Sequence, residues 1–307
     1  MPDAMVATDV RKTYRSRRGP TVEALSGVSM TVRPGERVAL LGRNGAGKTT
    51  FLKIASTLLA ATSGSVSVFG HDVTNEPDLV RPTIAVVPQE GKPFFHLTPT
   101  EQVYTYLRCR GLDRETAKDR TREALDEMGL EEVADRLSIT LSGGQRQRTM
   151  VATVIATKAP LLFLDEPTIG MDPFARRDVW QSLRSLTRSG STILLTTHYL
   201  DEADVLSDRL YIVERGRVLV EGTAASLKQQ VGGSLRVSLA GGRAFAEAFA
   251  SFGPIVPDGE NVHVLIEPLR LTELLNLAVT SRLTATVGPV TLEEAFLRVV
   301  GHSIDEE

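Results

Sequence analysis

The sequence predicts an α/β fold: a mostly parallel β-sheet with helices on its faces, interrupted by a helical segment and followed by a small α+β domain. Three observations carry that reading. Gly42-Arg43-Asn44-Gly45-Ala46-Gly47-Lys48-Thr49 has the G-x-x-x-x-G-K-[ST] form of a phosphate-binding loop. Short apolar runs alternate with segments of helical period on both sides of it. After Gly222 the pattern shifts to a shorter strand–helix alternation.

In chain order, residues 5–14 read as an opening strand and turn, followed by a basic loop with Arg15, Arg17 and Arg18. Residues 22–25 and 28–32 read as strands. Pro34-Gly35 turns the chain into the apolar run 38–41, a buried strand, and 50–55 carries a helix. Glycines between them let backbone N–H groups converge on one point, and the new helix aims its free N–H groups and positive dipole end at the same point. In this motif Lys48 reaches the β/γ-phosphates and Thr49 offers its hydroxyl to Mg²⁺. Residues 65–69 and 83–87 are strands. From about 91 to 141 the period is helical. Thr98-Pro99-Thr100-Glu101 forms a capping box with proline at the first helical position. Asp113 caps the next helix, and Leu130, Val133, Ala134 and Leu137 repeat at helical spacing. A helix over 145–157, a strand over 161–164, a helix over 176–188 and a strand over 192–197 follow, then a hairpin about Glu214-Arg215-Gly216. Gly232-Gly233 marks a boundary, beyond which a βαβαβα pattern runs to about 300.

Composition narrows the function. The chain has 307 residues, 42% hydrophobic and 24% charged, enough for one large domain and a smaller one. A net charge of -3 gives no basic footprint, so no nucleic-acid partner is expected. Cys109 is the only cysteine, which excludes an intrachain disulfide and fits a reducing compartment. The N-terminus reaches Asp3 and Asp9 without an apolar stretch, so no signal peptide is expected. No apolar run approaches the ~20 residues that span a bilayer, so any membrane role requires a partner.

Further along, Gln89 follows a strand, and Leu141-Ser142-Gly143-Gly144-Gln145 opens a helix. Asp165-Glu166 closes an apolar strand, Gly170-Met171-Asp172-Pro173 follows at once, and His198 closes the next strand. Singly, each has an ordinary reading. A carboxylate pair at a strand end can cap a helix, a lone His is most often a satisfied core residue, and any strand-end tyrosine would look like Tyr14. Their order along the chain carries the weight. The phosphate loop, the Leu-Ser-Gly-Gly-Gln stretch, Leu161-Leu162-Phe163-Leu164-Asp165-Glu166 and His198 together resemble the nucleotide-binding subunit of an ABC transporter over about residues 4–225. The tail, with Gly222-Thr223 and Thr291-Leu292-Glu293-Glu294-Ala295-Phe296-Leu297, resembles the ATP-binding subunits of daunorubicin/doxorubicin-resistance-type exporters, which pair with ABC-2-type permeases.

The resemblance implies a P-loop NTPase core of RecA-like type, a mostly parallel sheet plus an antiparallel β part, with a helical subdomain at about 90–155. It places an ATP-binding domain at 1–230 and an accessory or regulatory domain at 231–307. It implies ATP and Mg²⁺ as cofactors. Tyr14 would stack on adenine, and Gly42, Arg43, Asn44, Gly45, Ala46, Gly47, Lys48, Thr49 and Thr50 would bind the nucleotide. Thr49, Gln89 and, through water, Asp165 would serve the metal. Glu166 would be the general base, a role that contributes roughly 10²–10⁴ in rate, with His198 on the γ-phosphate and Gln89 near the lytic water. Leu141, Ser142, Gly143, Gly144 and Gln145 would close on the ATP of a second copy, with Asp172 at that homodimer interface. The implied function is hydrolysis that energises an efflux permease of multidrug or antibiotic type from the cytoplasmic face of the membrane. The alternative, a soluble ABC ATPase acting on ribosomes, carries two cassettes on one chain, whereas this sequence holds one phosphate loop and one signature. A DNA-repair ATPase inserts a long coiled coil between those motifs, and no heptad run lies between Thr49 and Leu141. Two departures stand out: Met171 replaces the usual Leu, a volume-conserving change, and Phe94-Phe95-His96-Leu97 is individual wording in the region that faces the permease in the family.

Overall fold

The computed structural model describes residues 2–15, 20–188, 190–231 and 233–305. Arg17 and Arg18 of the basic loop, and Gly232 of the glycine pair, lie outside them. The chain divides into two compact units, Met1–Val218 and Leu219–Glu307.

The first unit opens with β1 (Met5–Tyr14) and β2 (Val22–Val32), paired antiparallel. The two strands expected at 22–25 and 28–32 are one, because register shifts near Val10, Arg11 and Lys12 absorb the break. Then come β3 (Arg37–Leu41), α1 (Lys48–Ala55), β4 (Ser63–Val68), β5 (His71–Asp72), α2 (Pro77–Val80) and β6 (Ile84–Val87). The helical segment holds α3 (Pro99–Cys109) and α4 (Arg114–Glu127). Thr98 and Glu101 form the expected capping box, and Asp113 accepts from Thr116 N–H. The helical spacing of Leu130 to Leu137 does not yield an α-helix. Two 3₁₀ turns stand there, Glu131–Val133 and Ser138–Thr140. Buried Ser138 is tied to the Leu97 carbonyl through both its N–H (2.9 Å) and its Oγ (2.7 Å), which pulls the chain off a helical path. The series continues with α5 (Gly143–Ile155), β7 (Leu161–Asp165), α6 (Pro173–Arg188), β8 (Thr192–Thr197), α7 (Leu200–Leu206), β9 (Arg209–Glu214) and β10 (Arg217–Gly222).

Two sheets result, β2-β1-β4-β5 and β10-β9-β3-β8-β7-β6. In the larger one β9, β3, β8, β7 and β6 run parallel. Parallel strands are covered on both faces, which is why 38–41 and 161–164 read as unbroken apolar runs. Leu41 lies opposite Thr197, Asp165 opposite Thr196 and Val87 opposite Leu164. The carboxyl ends are therefore nearly flush, and the loops after β3, β6, β7 and β8 leave from one edge, where open α/β sheets bind ligands. One core, including Met5, Leu25, Phe51, Ile54, Phe163 and Tyr211, joins the two sheets through α1.

The second unit contains α8 (Ala224–Gln230), β11 (Leu235–Ala240), α9 (Ala246–Phe249), β12 (Ile255–Asp258), β13 (Asn261–Ile266), α10 (Leu271–Thr280), β14 (Thr284–Pro289) and α11 (Leu292–Asp305). Its sheet, β12-β13-β11-β14, is antiparallel throughout. From β11 to β14 the order is βαββαβ, a split βαβ arrangement. Alternate residues Val237, Leu239, Val262, Val264 and Ile266 share a core with Phe249, Leu274 and Ala278. The sequence pattern omitted β12, whose four residues include Pro257, although Asp258-Gly259 is the hairpin signal that marks it. Among the described residues no helix is long and apolar enough to cross a membrane.

Candidate functional site

The loop between β3 and α1 is built to approach a ligand with its backbone. A Cβ on Gly42 would stand 2.2 Å from the Val213 carbonyl oxygen, and Gly47, at φ 102°, would bring one 2.5 Å from the Ala24 carbonyl oxygen. Both positions therefore exclude a side chain. Lys48 is buried, and its Nζ donates to the carbonyls of Gly42 (2.8 Å) and Arg43 (3.1 Å). Burial lowers its pKa, opposed by the carboxylates of Glu166, Asp165 and Glu214. A cavity of about 210 Å³ is walled by Asn44 through Thr50 together with Ala24, Gln89 and Glu166. Gly42 and Arg43 serve it indirectly, through the carbonyls that hold Lys48.

Oxygen atoms from three strand ends converge beside this wall. The Thr49 hydroxyl lies 3.2 Å from Gln89 Oε1 and 3.1 Å from Asp165 Oδ1. The Thr196 hydroxyl donates to the same Asp165 oxygen at 2.5 Å. Burial raises the Asp165 pKa, partly offset by hydrogen bonds from Thr196 and Thr49. Two neutral oxygens and one carboxylate form a hard-oxygen donor set that fits Mg²⁺, which is held by few carboxylates alongside waters and phosphates.

Glu166 is buried and sits at φ 50°, a left-handed conformation unusual for a residue with a side chain. Its N–H donates to the Thr196 carbonyl and hydroxyl, each at 3.1 Å. Its Oε1 is 3.9 Å from Lys48 Nζ. Its Oε2 is 3.1 Å from His198 Nδ1, near enough for an ion pair but off the line of a hydrogen bond. Glu166, His198, Gln89, Thr49, Lys48 and Asp165 thus form one cluster. Thr196, which holds both carboxylates in place, was missed in the sequence. Its only signal was a polar residue near the end of an apolar strand.

The remaining sequence candidates stand apart. Tyr14 ends β1 half exposed, with Lys12 Nζ 5.4 Å from its ring centre, and does not wall the cavity. Ser142 caps α5: its Oγ accepts from Gln145 N–H (3.2 Å), and Gln145 Oε1 accepts from Ser142 N–H (2.9 Å). A Cβ on Gly143 would meet nothing within 4 Å, and Leu141 is buried beneath the turn. Asp172 caps α6, accepting from Ala175 N–H (3.0 Å) and Phe174 N–H (2.9 Å), bonds that hold its carboxyl below the usual range. Neither Asp172 nor any signature residue walls the cavity of its own chain.

A phosphate-binding loop at the carboxyl edge of a parallel sheet, with a carboxylate pair ending the strand two places along, beyond β8, defines a P-loop NTPase. The ABC transporter family profile matches residues 25–169. The daunorubicin/doxorubicin resistance ATP-binding protein DrrA of Streptomyces peucetius is 38% identical, over 99% of this chain and 94% of that one. The doxorubicin resistance ATP-binding protein DrrA of Mycobacterium tuberculosis is 40% identical over 75% of this chain and 68% of that one. Among solved structures, an ATP-binding subunit of an ABC transporter aligns with TM-score 0.65 at 29% identity, covering 74% of this chain and 92% of the other. A dimeric ATP-binding cassette in a post-hydrolysis state, bound to ADP and Pi, aligns with TM-score 0.67 at 28% identity, covering 71% and 98%. The chain belongs to the ABC transporter ATP-binding family, and it is an ATPase cassette.

Proposed function

We propose that two copies of this chain bind two ATP molecules between them and, by hydrolysing them, drive a separate export permease of ABC-2 type from the cytoplasmic face of the membrane. The observation that carries the reading is the separation of the two anion-binding features. The phosphate loop walls a cavity, whereas the capped N-terminus of α5, with its open glycine, contributes nothing to that cavity's lining. A second copy placed head to tail supplies the missing wall. The dimeric cassette among the solved relatives supports this arrangement.

In this reading the loop N–H groups and Lys48 hold the β- and γ-phosphates. Thr49, Gln89 and, through water, Asp165 hold Mg²⁺, which neutralises phosphate charge when bound. Glu166 takes the proton of the attacking water, and His198 contacts the γ-phosphate. Tyr14 stacks on adenine at an exposed edge. Ser142 to Gln145 and Asp172 complete the second copy's site. The relatives' names support a drug or antibiotic as the exported class. An ATP-binding domain of 1–230 carries this chemistry, with 231–307 as a dimer-stabilising appendage. The test is steady-state ATPase of Glu166→Gln. Loss of roughly 10²–10⁴ in kcat is expected for a general base, and an unchanged rate removes Glu166 from that role.

A further inference from the structure

Glu202 is the most deeply enclosed carboxyl of the first unit, 0% exposed on α7. Its Oε1 accepts two hydrogen bonds, from the Thr168 hydroxyl at 2.8 Å and from the Trp180 indole N–H at 3.1 Å. Thr168 is itself fully buried and lies two residues after Glu166. Trp180 is on α6, and Glu202 lies four residues after His198. One oxygen atom therefore joins the segment leaving β7, the helix that follows it, and the segment leaving β8. From the opposite side, buried Gln147 of α5 donates through Nε2 to the Pro167 carbonyl at 3.2 Å. The short stretch from Glu166 to Thr168 is thus gripped at two successive residues. That grip matters because Glu166 stands in left-handed backbone at φ 50°. Such a conformation persists only where the surroundings over-determine it.

We propose that Glu202 is a positioning residue for ATP hydrolysis: it clamps the segment carrying Glu166 to the segment carrying His198, so that the two side chains meet at the cavity in working geometry. The proposal rests on the reading of Glu166 as the base. Stability alone is a poor reason to keep this residue. Burial pushes the carboxyl above its ordinary range, against hydrogen bonds from Thr197, Thr168 and Trp180. An apolar side chain of similar volume would avoid that cost only if Thr168 and Trp180 lost their donors as well. None of the clamp's hydrogen bonds reaches β3 or α1, so ATP affinity, carried by Lys48 and Thr49, can be read separately from kcat.

The test compares Glu202→Leu, Glu202→Gln and Glu166→Gln for ATPase kinetics, ATP affinity and Tm. Glu202→Gln keeps the Oε1 acceptor and retains kcat within about threefold. Glu202→Leu removes it and lowers kcat roughly 10–100-fold, the scale of a small misplacement of a catalytic group, with KM and ATP affinity unchanged even though the stranded Thr168 and Trp180 donors lower Tm. Should Glu202→Leu fail to fold, the pair Thr168→Val and Trp180→Phe removes both donors with the carboxyl in place, and the same split of kcat against KM is expected. An inactive Glu166→Gln beside a Glu202→Leu of wild-type kcat overturns the clamp alone. A fully active Glu166→Gln removes the base and the clamp with it. A fall in kcat matched by loss of ATP affinity makes Glu202 merely structural and also overturns the proposal.

Discussion

At the scale of single residues, the site is made by positions that tolerate nothing else. Gly47 at φ 102° faces the Ala24 carbonyl, so Gly47→Ala meets both a forbidden backbone and a clash. We expect it to cost about 1–3 kcal/mol in urea denaturation, the range for a strained backbone position, and to lose ATP binding in a fluorescent-nucleotide titration. Glu202 gives a prediction in pH. Burial raises its folded pKa above the ordinary 4.5, with Arg176 as the charge that opposes the shift. Such a group's full stability is present below the unfolded pKa and is lost as pH rises toward the folded one. Glu202→Gln cannot titrate, so its Tm should gain on wild type as pH rises above the ordinary carboxyl value of 4.5. A constant difference over that rise would mean that the buried carboxyl is not held neutral. Most of the nucleotide cluster was legible as sequence, because a phosphate loop and a strand-end carboxylate pair are local patterns. Thr196 and Glu202 were not, because nothing local distinguishes a threonine or a glutamate that a distant strand will bury.

At the scale of elements, the helical segment carries a surface that the core does not need. Phe94 is 71% exposed and Ile139 56%, with Phe95 and Leu137 half exposed beside them. Backbone bonds from Ile139 N–H to the Phe95 carbonyl (3.2 Å) and from Ser138 N–H to the Leu97 carbonyl (2.9 Å) hold the two stretches together. Exposed apolar side chains held together in this way suit an interaction surface, and in the function proposed above this is where the permease would dock. The double change Phe94→Glu and Ile139→Glu should leave basal ATPase and Tm near wild type while removing the permease from a detergent pull-down. Retention of the permease would move the docking site elsewhere. This patch also shows where periodicity misled. Leu137 belongs to an apparent helical repeat, yet it stands outward just before a 3₁₀ segment, beside Ser138, which is tied to Leu97.

At the scale of the whole molecule, one chain holds one phosphate loop and one signature that do not meet. Glu166→Gln should bind ATP without consuming it, so adding ATP should double its mass by light scattering. A monomer under saturating ATP would argue against shared sites. The second unit's βαββαβ sheet was read only as a strand–helix alternation, because the four-residue β12 gains its identity by pairing with β13 rather than from its own composition.

Chain-local information was enough to determine the α/β class, the phosphate loop with its helix, the capped start of α5 and the identity of the carboxylate pair. Each of these is set by backbone conformation, capping and apolar spacing within about ten residues. Only the tertiary structure decided that β3, β8, β7 and β6 lie side by side with flush ends, that Thr196 braces both Asp165 and Glu166, and that Glu202 closes over Thr168 and Trp180. The side-chain contacts join residues 22 to 34 positions apart, and the strand pairings join residues much further apart, as Leu41 with Thr197. They exist because a parallel sheet buries both faces and orders its strands by packing rather than by sequence.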